Sequence, residues 1–79
     1  MIYVLTSLWF DEEEIKNHCF KRKEDAFNKM KEWCFEKYGE NMNLYNEICE
    51  EMISSFEKNG GWIEPENEVE FNLNECELN

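Results

Sequence analysis

Seventy-nine residues with 19 acidic and 8 basic side chains, a formal net charge of −11, bound the chain to one small domain spanning residues 1–79. That balance excludes nucleic-acid binding through phosphate neutralisation and docking on anionic lipid, since both need clustered Lys and Arg, and it favours a basic protein partner. At 42% hydrophobic residues the chain is too apolar to be held unfolded by charge, yet its length predicts a marginal core and no large catalytic cleft.

Residues 1–10 (MIYVLTSLWF) are rich in β-branched and aromatic side chains, with Ile2, Val4, Leu8 and Phe10 on one face and Tyr3, Leu5 and Trp9 on the other. This predicts a strand covered on both sides. The segment carries neither a basic leader nor a cleavage site, and no run approaches the ~18 apolar residues of a membrane span. A cytoplasmic location with reduced thiols is therefore expected. Asp11, Glu12, Glu13 and Glu14 form a polar break, and residues 15–20 return as a more polar strand to complete a hairpin.

Over residues 22–38, Ala26, Phe27, Met30, Trp33, Cys34 and Tyr38 recur at the three-and-four spacing of a helix that buries one stripe. Gly39 supplies its stop, and Phe35 lies off the stripe as an exposed aromatic or a contact with another element. A second helix fits residues 42–58, with Leu44, Tyr45, Ile48, Cys49, Met52 and Phe56 inward, Asn41 or Asn43 as cap, and Asn59, Gly60 and Gly61 ending it.

The tail changes period. Val69, Phe71 and Leu73 alternate with Glu68, Glu70, Asn72 and Asn74, the pattern of a strand with one buried and one wet face. Trp62 and Ile63 form a short strand before it, joined by a turn in which Pro65 takes the position that type I turns prefer. Cys76 and Leu78 fall out of phase, so a bulge or frayed end is expected near Asn74 and Glu75. The order β-β-α-α-β-β predicts an α+β fold: an antiparallel sheet of three or four strands with both helices on one face.

The charge is lopsided. Residues 1–38 carry 8 acidic and 7 basic groups, whereas residues 39–79 carry 11 acidic groups and only Lys58. Glu47, Glu50 and Glu51 fall at adjacent helical positions away from the apolar stripe and form one ridge. Glu68 and Glu70 share a strand face, and Glu64 and Glu66 extend that row if the chain stays extended. Like charges so placed cost a few tenths of a kcal/mol per pair (~0.2–0.5), which a chain selected only for folding would relieve with interspersed Lys. Hydration alone accounts for such rows in many soluble proteins. The sharper reading is imitation of a nucleic-acid backbone, whose ~1.7 Å of axis per charge is read by grooves preset with Lys and Arg.

Other residues carry less. Cys19, Cys34, Cys49 and Cys76 lack the close ligand pairing of a structural zinc site, and no cofactor is expected. His18 and Cys19 are adjacent on a strand and point to opposite faces, which defeats a base and thiolate pair. Residues 11–14 lack the alternating acidic order of a calcium loop. Lys21, Arg22 and Lys23 read as a helix start; Trp9, Trp33 and Trp62 read most economically as core or core-edge aromatics, with Trp62, beside the acidic row, the one that also offers an interface anchor. No nucleophile, base and orienter occur at readable spacing, so the chain is read as non-enzymatic.

The stretch Ile53, Ser54, Ser55, Phe56, Glu57, Lys58, Asn59, Gly60, Gly61, Trp62, the acidic run from Glu64 to Glu70, and the ending Glu77, Leu78, Asn79 resemble the C-terminal part of an inhibitor of the type II CRISPR effector nuclease. The likeness covers about a third of the chain and belongs with the small acidic anti-CRISPR proteins of phages and mobile elements. It implies a host-cell inhibitor whose acidic face occupies the site where the effector reads DNA, with Glu64, Glu66, Glu68 and Glu70 as DNA-like contacts. Residue chemistry and resemblance together nominate Glu47, Glu50, Glu51, Glu64, Glu66, Glu68, Glu70 and Trp62 as partner-binding residues, and a basic nucleic-acid-binding protein as the partner. The alternative is a small structural or self-associating module that uses Phe35, Trp62 and a free sheet edge.

Overall fold

The computed structural model describes residues 1–77, which form β1 (Ile2–Trp9), β2 (Glu14–Phe20), α1 (Lys23–Tyr38), α2 (Met42–Asn59), β3 (Gly61–Ile63) and β4 (Val69–Cys76). The four strands make one antiparallel sheet in the order β2-β1-β4-β3, so the first and last long strands are central neighbours. The fold is α+β, with the helices on one face of the sheet. Among the described residues no helix is long and apolar enough to cross a membrane.

Local chemistry starts and stops each helix. Asn41 accepts a hydrogen bond from the Leu44 amide at 3.2 Å and caps α2, while Gly60 ends it in the left-handed conformation at φ 73°, where a side chain would be strained. No side chain caps α1. Arg22 there pairs with Asp25 at 3.3 Å, and Gly39 closes the helix with an ordinary right-handed φ of −64°.

The core lies between the helices and the inward sheet face. Leu5, Val69, Phe71 and Trp62 from the sheet meet Ala26, Met30, Cys34 and Tyr38 of α1 and Ile48, Cys49, Met52 and Phe56 of α2. Trp9, Trp33 and Trp62 surround Phe71 with ring centroids 5.8–6.3 Å away, Trp62 stacked and the other two edge-on. Burial pushes the Cys34 thiol, beside Cys49 on the facing helix, up to about 12 and leaves it a small apolar packing group. All four cysteines are free thiols.

Three expectations need correction. The β1–β4 register runs without interruption from Trp9 opposite Val69 to Ile2 opposite Cys76, so there is no bulge at Asn74 or Glu75; Leu78 lies outside the described residues. Leu44 is exposed because the first turn of α2 carries it clear of the core. The third concerns β1, which the helices cover on one side only. Leu5 and Ser7 are buried beneath them, while Phe10, on the other side, is 41% exposed.

Candidate functional site

The segment from Glu64 to Glu68 is not an extended acidic row. Pro65 follows Glu64 into a four-residue turn closed by the Asn67 amide donating to the Glu64 carbonyl at 2.8 Å, and Asn67 adopts a left-handed φ of 58° that Asn tolerates. The turn folds the Glu64 side chain into the protein, where it is fully buried.

One cation explains how a carboxylate survives there. Lys37, in the last turn of α1, donates to Glu64, to Glu68 at 2.5 Å, and approaches Glu66 at 3.6 Å. Tyr38 donates its hydroxyl to the same Glu64 Oε2, and the backbone amides of Glu66 and Glu68 donate to Oε1 at 2.6 and 3.3 Å. Both oxygens are thus doubly satisfied. Burial acts to raise the pKa of Glu64, but the Lys37 and Tyr38 hydrogen bonds and the two amides outweigh it and hold the carboxyl below its ordinary range. On Lys37 burial acts to lower the pKa, and the pairing with Glu64 and Glu68 reverses it and drives the ammonium upward. Burial, then the bond to Glu64, raises the Tyr38 phenol as well. Lys37 also lies 5.5 Å from the Trp33 ring centroid.

These contacts correct part of the sequence reading. Glu64 is a structural hub and not a surface contact, because its charge is neutralised inside the fold. Glu66 and Glu68 point their carboxylates at the same lysine. Trp62 is 4% exposed, stacked on Phe71, and unavailable as an interface anchor; its indole nitrogen has no hydrogen-bond partner among the described residues. Phe35 is 53% exposed while resting edge-on against Tyr45 at 5.6 Å, so both readings offered for it hold.

The α2 ridge is different. Glu47, Glu50 and Glu51 are all exposed, facing away from the buried Ile48, Cys49 and Met52, and no ion pair among the described residues includes any of them. The structure also brings Glu51 together with Glu70, which the sequence assigned to a separate row. Both line an open depression of about 390 Å³ beside β3, together with Ser55, Asn59, Ile63 and Asn72. Gly61, which also lines it, makes room by lacking a side chain for the close approach of the Asn72 side chain and the Phe71 carbonyl. Glu70 itself is half-buried and accepts from the Asn72 amide at 3.3 Å.

The residue of this cluster that the sequence pattern did not reveal is Lys37, which sits 27 positions from Glu64. Among the described residues no group of three or more His, Cys, Asp or Glu side chains is disposed to hold a metal ion. Comparison of the chain with protein-family models, curated proteins and solved structures finds no match.

Proposed function

We propose that the chain is a non-enzymatic binding protein that presents the outward face of α2 to a Lys- and Arg-rich groove on a nucleic-acid-binding protein and competes with nucleic acid for it. The observation that carries this reading is the contrast in compensation: the turn carboxylates share Lys37, while Glu47, Glu50 and Glu51 stand exposed with no cation paired to them among the described residues. A rigid helix capped at Asn41 holds the three in fixed relative positions, which preorganises them for a groove built to receive phosphates. Glu51 and Glu70 extend the negative surface around the β3 edge.

The resemblance to anti-CRISPR proteins selects the partner to try first, a type II CRISPR effector nuclease carrying its guide RNA. In that setting the chain acts as a DNA mimic from a phage or mobile element, working in the host cytoplasm. The test is competition between the chain and target DNA for the loaded effector, measured across salt concentrations. Inhibition is expected to weaken as salt rises, because steering and contact are both electrostatic. Replacing Glu47, Glu50 and Glu51 together by Lys should abolish competition with circular dichroism unchanged. A triple variant that folds and inhibits as well as the parent removes the α2 face from the mechanism.

A further inference from the structure

The outward face of the sheet, opposite the helices, has no cover among the described residues, and its composition is wrong for a wetted surface. Residues directly opposite one another on paired strands share a face, so the register defines its rows. One row runs Ile15, Leu8, Glu70, Ile63 across all four strands. The next is Asn17, Thr6, Asn72, Gly61, then Cys19, Val4, Asn74, and finally Ile2 with Cys76. Phe10, whose amide continues the ladder to the Glu68 carbonyl at 3.1 Å, extends the face past Leu8. Ile15 is 63% and Ile63 51% exposed. An antiparallel sheet with one wet side alternates apolar and polar residues; β1 instead places Ile2, Val4, Leu8 and Phe10 on its uncovered side.

We propose that this face is covered by the same face of a second copy, giving a two-fold dimer with two sheets packed at the centre and the helices outside. Charge selects the occupant. In a chain of net charge −11 two copies repel, and the paired rows of this face, in which Glu70 is the one charged residue while Glu68 opposite Phe10 has its carboxylate held by Lys37, are where they approach at least cost. A basic partner of the class proposed for α2 finds one carboxylate here against three exposed ones there. The polar groups present are Thr6 and the amides of Asn17, Asn72 and Asn74, each able to donate and accept, so the face complements itself without a change of sign. Size agrees. Strands ~4.8 Å apart rising ~3.3 Å per residue give a face on the order of 400 Å² in projection. Two such faces bury on the order of 1,000 Å² of accessible surface, the lower bound for a specific interface. Sheets so packed lie ~10 Å apart.

The dimer and the α2 contact respond to salt in opposite directions, which separates this inference from the proposed function. Sedimentation equilibrium of the full chain under reducing conditions, at low salt and at about 0.5 M, is the measurement. The expected result is a monomer–dimer equilibrium that tightens with salt as repulsion is screened, tightens further in Glu70→Gln, and weakens at least tenfold in Ile15→Glu with Ile63→Glu. Ile15→Thr with Ile63→Thr, which keeps β-branched side chains, should weaken it less and guards against loss of folding. A parent that stays monomeric at both salt concentrations, a dimer that loosens with salt, or a dimer indifferent to the folded double variants overturns the proposal.

Discussion

The β3–β4 turn and the outward side of α2 each gather three glutamates, and they differ by one cation. At the turn, Lys37 reaches Glu64, Glu66 and Glu68, and the most buried of the three is satisfied on both oxygens. On α2, Glu47, Glu50 and Glu51 are exposed, and no ion pair among the described residues includes them. Similar clusters of charge therefore sit in two different electrostatic settings. The turn glutamates hold the C-terminal end of α1 against the return of the chain into β4 through Lys37, whereas no ion pair among the described residues includes the helix glutamates. In the function proposed above, the ridge on α2, which no ion pair among the described residues relieves, is the surface offered to a partner.

The largest effect that tests this contrast is on stability. Lys37→Ala leaves a fully buried carboxylate without its cation and crowds three carboxylates around the vacated site, and breaking a buried pair from one side costs about 3–5 kcal/mol. A fall of that order in urea-melt stability, or failure to fold, is expected. A loss within about 0.5 kcal/mol would place Lys37 among ordinary surface ion pairs and dissolve the distinction.

Glu64→Gln should cost less, about 1–3 kcal/mol, because the amide keeps one accepting oxygen but turns its NH2 toward either the two backbone donors or Lys37 and Tyr38. The pH profile sharpens the assignment. A carboxylate held below its ordinary range stabilises the fold above the unfolded value of about 4.3, and that contribution is lost as pH falls through the lower folded value. Lys37 and Tyr38 are raised, so their contributions are complete below about 10 and are lost as pH rises beyond it through the folded values. The parent should thus lose stability at both extremes. Glu64→Gln should flatten the acid limb, measured as melting temperature between about pH 5 and pH 2, and a parallel acid limb in parent and variant would exclude Glu64 as its source.

The fold was readable wherever the apolar spacing reflected one dominant neighbour. Ala26, Met30, Cys34 and Tyr38 repeat every four residues because a single sheet face lies beneath α1, and Val69, Phe71 and Leu73 alternate because β4 has one dry side. The phase change at Cys76 misled for the converse reason: residues 74–76 are exposed, so periodicity there carries no information about register. Leu44 shows the same failure at the free first turn of α2. The site was half legible. Exposure of Glu47, Glu50 and Glu51 follows from their angle to Ile48 and Met52, a local property. Burial of Glu64 depends on Lys37, far away in sequence, and nothing in residue type distinguishes it from Glu66. Its position immediately before Pro65, where an acidic side chain can turn back on the amides of Glu66 and Glu68, was the available signal.

The smallest effect is the one expected at the α2 ridge. Glu47 and Glu50 are three residues apart and Glu47 and Glu51 four, so each pair repels by about 0.2–0.5 kcal/mol across the helix surface. Replacing all three by Gln removes that repulsion, keeps helix propensity nearly constant and breaks no ion pair, so stability should hold or rise by up to about 1 kcal/mol in the same urea melt. The sign matters more than the size. Loss of stability would mean that the ridge holds some part of the fold together, and its exposure would no longer point to a partner. A gain, set beside the loss in Lys37→Ala, would show that the chain carries a destabilising charge ridge on α2 although its own turn demonstrates how a single lysine can relieve one.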